Sequence, residues 1–216
     1  MTHWQDGLPT LTGDGVTLRE LRRGDSHSLF SLLSDDQVAQ FISPPPTSPE
    51  GFERFIAWTA KQRAAGTYAC FGVVPRGLTE AVGVFQIRQL QPDFDVAEWG
   101  FILAHSFWGT GIFAEAAHLV LEFAFDTVGV HRLEARAAVP NGRGHGALSK
   151  LGAFHEVRLR KSFWRDGVRY DQMMWSILAE DWREARGPRS QRGNGTNRDD
   201  SPPYGHRHLP SGPDLH

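Results

Sequence analysis

Two features of this sequence carry residue types and spacings capable of chemistry: a glutamate, Glu98, inside an apolar run, and the glycine-bearing loop that follows that run. Phe94–Leu103 reads as a strand, and an unpaired carboxylate in mid-strand is costly unless it faces solvent or a polar pocket. A carboxylate so placed can accept a proton or orient a cationic group. The chain then runs Ala104-His105-Ser106-Phe107-Trp108-Gly109-Thr110-Gly111 into an amphipathic helix. A strand feeding a glycine loop into a helix offers free backbone N–H groups and a positive helix end to an anion, and glycines permit close approach. A pyrophosphate suits such a place.

Other phosphate loops fit less well. A Walker A loop needs Gly-Lys-Ser/Thr, and Gly111 is followed by Ile112. Gly109-Thr110-Gly111-Ile112-Phe113-Ala114 matches the G-x-G-x-x-A dinucleotide fingerprint, with Glu134 downstream. In that fingerprint the first glycine ends the strand, whereas here Ala104 to Trp108 intervene, and further strand–helix repeats are missing.

The elements that must hold these residues follow from apolar periodicity. Val16 and Leu18 alternate with polar neighbours in a first strand ending near Arg22. Asp25 is placed to N-cap a helical region through Leu29, Leu32 and Leu33, with more helix expected toward Phe41. After Pro44-Pro45-Pro46, Ser48 and Pro49 open a helix with Phe52, Phe55, Ile56 and Thr59 on one face. Thr67–Val74, Ala81–Gln89 and Phe94–Leu103 read as an antiparallel meander. The helix from about Gly111 to Thr127 carries Glu115, His118, Glu122 and Asp126 on a polar face read as solvated. His131–Val139 is a strand and Asn141–Leu151 a short helix closed by Gly152. Phe154–Trp164 and Val168–Leu178 form a hairpin whose Asp166-Gly167 signals a type I′ turn.

Composition sets outer limits. The 216 residues suffice for one substantial core plus an appendage, and 186–216, rich in Gly, Pro, Ser, Asn, Asp and Arg, reads as a disordered tail. A formal net charge of −2 gives no electrostatic reason to expect nucleic acid or an anionic membrane. The single cysteine, Cys70, excludes an internal disulfide and a thiolate-rich metal site, fits a reducing cytoplasm, and reads as a small buried hydrophobe. The start carries no basic segment with an apolar run, so no signal peptide is expected, and charges interrupt the most apolar stretch, so no membrane span is expected.

Glu98-Trp99-Gly100-Phe101, Trp108-Gly109-Thr110-Gly111 and Glu115-Ala116 together resemble the GNAT superfamily of N-acetyltransferases, in particular its RimJ/RimL branch of ribosomal-protein amino-terminal acetyltransferases. Thr17-Leu18-Arg19-Glu20-Leu21 with Asp25, Asn141 with Lys150-Leu151-Gly152, and Tyr170-Asp171 extend the resemblance over residues 10–185. It implies an α/β (α+β) fold, the GNAT fold, with a mixed, mostly antiparallel sheet of about seven strands flanked by about four helices. It also implies direct transfer from acetyl-CoA to a primary amine, a protein amino terminus or a small molecule, by a cytoplasmic monomer or homodimer that needs no metal. Phe101, Ile102 and Leu103 would pair their backbone with the pantetheine arm, and Trp108, Gly109, Thr110, Gly111, Ile112 and Phe113 would hold the pyrophosphate. Asn141 would contact the cofactor arm, although it is equally a helix N-cap. Glu98 matches the branch's glutamate, either a general base acting through water or a residue that orients the substrate.

The resemblance breaks at the expected acid for the departing thiolate. Many relatives carry tyrosine where this chain has Leu148, and Rim-type enzymes often carry serine where it has Gly144. Ser149 is rotated about 100° from its neighbour on a helix, and His145 is the remaining candidate. The family's acceptor cleft would be walled by Phe41-Ile42-Ser43 and by the Phe163–Tyr170 turn, whose mixed charges disfavour polyamines. A non-catalytic module that binds acyl-CoA or a partner is the alternative.

Overall fold

The computed structural model describes residues 3–186, and the expected tail lies outside these residues apart from Arg186. The first two strands, β1 (Leu11–Thr12) and β2 (Val16–Glu20), form a hairpin. Helices α1 (Ser26–Leu33), α2 (Asp36–Ala39) and α3 (Pro49–Ala64) follow. Next come β3 (Tyr68–Pro75), β4 (Gly83–Gln89), β5 (Val96–Leu103), α4 (Ile112–Glu122) and β6 (Arg132–Ala138). The chain closes with α5 (Gly142–Lys150), β7 (Phe154–Arg165), β8 (Val168–Leu178) and α6 (Ala179–Arg186).

All eight strands join one sheet in the order β1-β2-β3-β4-β5-β6-β8-β7. Every pairing is antiparallel except β5 with β6, the strand pair joined by the α4 crossover. The mixed sheet flanked by helices agrees with the expectation. Two-residue β1, too short to show periodicity, and C-terminal α6 come in addition, while α2 is the further helix expected toward Phe41.

The sheet has a core on each face. On one, Phe71, Phe85, Leu18 and Leu133 meet Ala116, Val120 and Leu121 of α4, with Trp4 and Trp182 at the margins. On the other, Tyr68, Cys70 and Val84 meet Leu29 and Leu33 of α1 and Phe52 and Ile56 of α3. Burying a Phe or Leu side chain of this kind contributes about 1.5–3 kcal/mol relative to exposure. Cys70 is buried as expected, and burial pushes its thiol pKa up.

Local signals explain most element ends. Ser48 Oγ accepts from Gly51 N–H at 3.1 Å with Pro49 in the first turn of α3. Asp166 and Gly167 have φ of 47° and 77°, as a type I′ turn requires. Two expectations are corrected. Asp25 stands at the N-cap position of α1 without capping it: its carboxylate accepts from Arg22 N–H at 2.7 Å and Ala81 N–H at 3.0 Å and pairs with Arg19. The polar face of α4 is not merely solvated. Glu115 accepts from Gly15 N–H at 3.0 Å, and Arg186 of α6 reaches Glu122 at 3.2 Å. Those partners are 100 and 64 residues away respectively, so no local pattern announces them.

Candidate active site

The site begins where two strands part company. β4 accompanies β5 from Gln89↔Ala97 to Gly83↔Leu103, but β6 pairs with β5 only from Val96↔Arg132 to Glu98↔Glu134. β6 instead stays with β8 as far as Ala138↔Gln172. From Trp99 to Leu103 the other edge of β5 therefore has no strand partner. Backbone donors and acceptors on such an edge can pair with an extended ligand.

A cleft of about 930 Å³ lies in this gap. Phe101, Ile102 and Leu103 of β5 line one wall, with Trp108, Gly109, Gly111 and Phe113 at its outer end. Asn141, Gly144 and Ala147 of α5 line the facing wall. Thr110 and Ile112 belong to the same loop and helix start, and Thr110 Oγ1 donates to Phe107 O at 2.8 Å.

The loop is tied down by its own side chains. Trp108 Nε1–H donates to Leu103 O at 2.8 Å, and Phe113 packs on Phe101 with ring centroids 4.7 Å apart. Gly109 and Gly111 take φ of 77° and 88°, left-handed values that cost other residues about 1–2 kcal/mol. A Cβ at either would meet nothing within 4 Å, so conformation demands the glycines and the space beside them is open. Both α4 and α5 start at this cleft, directing two positive helix ends toward it. Free N–H groups, an unpartnered strand edge and apolar walls fit a ligand with an extended amide arm and a pyrophosphate.

The α5 wall brings no acid to that cleft. Asn141 Oδ1 caps the helix by accepting from Gly144 N–H at 2.9 Å. Leu148 is 1% exposed and faces the core. His145 Nδ1 accepts from Trp175 Nε1–H at 3.2 Å, which fixes the tautomer and leaves Nε2–H to donate to Ala138 O at 3.0 Å. Ser149 is exposed and does not line the cleft.

Glu98 lies at the vertex of the splay and does not line the cleft. Its Oε2 accepts from Arg88 of β4 and its Oε1 from Arg136 of β6 at 3.1 Å. Arg136 also approaches Glu134 at 3.8 Å. These ion pairs tie three adjacent strands together at the last position where β5 and β6 pair.

Sequence reasoning gave no role to two contributors. Arg143 lies over the Trp108 ring at 4.0 Å, and Lys150 lines the same wall; their seven-residue spacing on one helix was the available signal. Phe41, after α2, meets Tyr170 of the β7–β8 hairpin edge-on at 6.4 Å. That contact brings together the two segments expected to wall the acceptor side.

Comparison with known proteins agrees with this geometry. Residues 16–153 match the acetyltransferase (GNAT) domain family. YjcK of Bacillus subtilis (strain 168), named a probable N-acetyltransferase, is 33% identical over 177 residues, covering 79% of this chain and 98% of that protein. The [ribosomal protein uS5]-alanine N-acetyltransferase of Escherichia coli (strain K12) is 21% identical, covering 82% of this chain and 94% of its own length. The structure of Mycobacterium smegmatis RimJ in complex with CoA-disulfide superposes with a TM-score of 0.71 at 23% identity, over 77% of this chain and 83% of that one. With the splayed strands and glycine loop matched by a family domain over more than half the sequence, the chain belongs to the GNAT family of N-acetyltransferases.

Proposed function

We propose that the protein transfers the acetyl group of acetyl-CoA directly to a primary α-amine, with a protein amino terminus as acceptor. The observation that carries this reading is the unpartnered Trp99–Leu103 edge opening onto a cleft that ends at the Gly109–Gly111 loop. Acetyl-CoA supplies the activated acyl thioester. Phe101–Leu103 hold the pantetheine arm by backbone pairing, Trp108–Phe113 present backbone N–H groups to the pyrophosphate, and Asn141 keeps its Nδ2 donor for the arm.

The acceptor class follows from the proton problem. An ammonium has no free lone pair, and the α5 wall offers neither a base nor an acid. The reaction then draws on acceptor already present as free amine. At pH 7 that is on the order of a tenth of an α-amine with pKa near 8, but under about a thousandth of a lysine side chain with pKa near 10. A thiolate is a tolerable leaving group near neutral pH, so positioning supplies much of the rate. The name of the Escherichia coli relative, a [ribosomal protein uS5]-alanine N-acetyltransferase, points to the same acceptor class. Glu98, with each oxygen engaged by an arginine, is assigned to holding the vertex of the splay instead of abstracting the proton.

The absent acid is the observation that favours a second reading, a module that binds acyl-CoA without turnover. Release of CoA thiol on mixing acetyl-CoA with peptides bearing free amino termini separates the two. Turnover with free-amino peptides, its loss with N-blocked ones and its loss in Gly109→Glu support the transferase. Binding without release for any amine supports the module.

A further inference from the structure

The cleft carries positive side-chain charge in a pattern the glycine loop does not explain. No residue from Ala104 to Ala114 is lysine or arginine, so the loop offers a phosphate only backbone N–H groups and a helix end. The charged side chains lining the cleft are Arg143 and Lys150, both on α5, and no Asp or Glu lines it. Among the described residues neither cation has a carboxylate within ion-pair distance, whereas ten of the arginines do: 19, 23, 63, 88, 132, 136, 158, 165, 183 and 186.

Arg143 is also poorly placed for the helix itself. It occupies the first turn of α5, where the helix end is positive and a cation is disfavoured by a few tenths of a kcal/mol. Its guanidinium nonetheless reaches across to the Trp108 ring, 4.0 Å from the centroid, beside the loop's two left-handed glycines. A guanidinium over the ring face still has N–H groups to offer to phosphate oxygens. Lys150 stands two turns further along the same face, about 10 Å away at the backbone.

We propose that Arg143 and Lys150 form a two-point phosphate clamp, Arg143 on the pyrophosphate beside the glycine loop and Lys150 on the phosphate carried by the ribose of the same nucleotide. The clamp makes the protein selective for coenzyme A over its dephospho form. This rests on the cofactor reading above. An arginine fork on one phosphate group and a point charge on another divide the work as their chemistries suggest.

Calorimetric titration of the full chain with CoA and with dephospho-CoA tests the clamp, using wild type, Lys150→Gln and Arg143→Gln. Both side chains are exposed, and circular dichroism checks that the variants stay folded. Wild type should bind CoA about tenfold or more tighter than dephospho-CoA. Lys150→Gln should bring CoA down to the dephospho-CoA level while leaving dephospho-CoA binding unchanged. Arg143→Gln should weaken both ligands by a similar factor. Equal wild-type affinities for the two ligands, or a preference that survives Lys150→Gln, overturns the ribose-phosphate assignment. Unchanged binding in Arg143→Gln overturns the pyrophosphate half. Failure of wild type to bind either ligand removes the cofactor reading itself, and the clamp with it.

Discussion

Arg136 on β6 donates to Glu98 on β5 at 3.1 Å at the last position where the two strands pair, and beyond it the sheet opens into the cleft. The same carboxylate accepts from Arg88 on β4. An ion-pair cluster therefore sits where strand pairing ends and the unpartnered edge of β5 begins. Exposed pairs are individually worth about 0–1 kcal/mol, so the role of this one is geometric more than energetic.

That placement predicts a modest phenotype for Glu98→Gln. Steady-state kinetics should show kcat/KM down by about tenfold or less, since misplacement rather than lost acid–base chemistry is the cause. The pH profile should keep its shape. A loss of about a hundredfold or more, with disappearance of the acidic limb, would assign Glu98 as the general base instead.

The rate should follow the free-amine fraction of the acceptor. For a peptide α-amine, kcat/KM should rise about tenfold per pH unit below pH 7 and level off near 8, the ordinary α-amine range. Peptides whose amino-terminal pKa is lowered should show a plateau shifted down by the same amount. A plateau independent of the acceptor sinks the free-amine argument.

Gly111→Ala should separate loop geometry from fold. The position takes φ of 88° with open space around it, so alanine meets strain of about 1–2 kcal/mol and no clash. Thermal unfolding should shift by only a few degrees, while the acetyl-CoA KM rises as the loop relaxes away from the pyrophosphate. An unchanged KM would remove the loop from the binding site.

Asp25 should dominate the acid limb of stability. Burial alone would raise its pKa, but the Arg19 hydrogen bonds, the Arg22 and Ala81 N–H groups and the Arg19 charge together hold it below the ordinary carboxylate value. The unfolded chain therefore takes up this proton first as pH falls. The stabilisation is present above about pH 4 and declines below it, toward the lower folded value. Asp25→Ala leaves Arg19 buried without its partner and should cost about 3–5 kcal/mol near neutral pH, with a flatter loss on acidification, by urea unfolding at a series of pH values.

Installing the tyrosine that the family resemblance led us to expect should not help. Leu148 is 1% exposed in the core, so Leu148→Tyr overpacks it, costing about 1–3 kcal/mol. Turnover should stay level or fall, and a gain would show that the side chain turns toward the cleft.

The sequence by itself determined the features set by neighbours in the chain. Strand and helix order followed from periodicity, the α3 start from Ser48-Pro49, the hairpin turn from Asp166-Gly167, and the left-handed loop before α4 from Gly109 and Gly111. Each depends on residues within a turn or two, and so leaves a local pattern. Only the tertiary structure decided what depends on strands meeting across the sheet. The point where β6 leaves β5, the two arginines around Glu98, the inward turn of Leu148 and the approach of Arg143 to Trp108 join residues 10 to 38 positions apart or set a facing. Side-chain periodicity says which face a residue takes but not which element lies opposite. Glu98 was therefore recognisable from sequence as a carboxylate out of place, while its partners became identifiable only once three strands lay side by side.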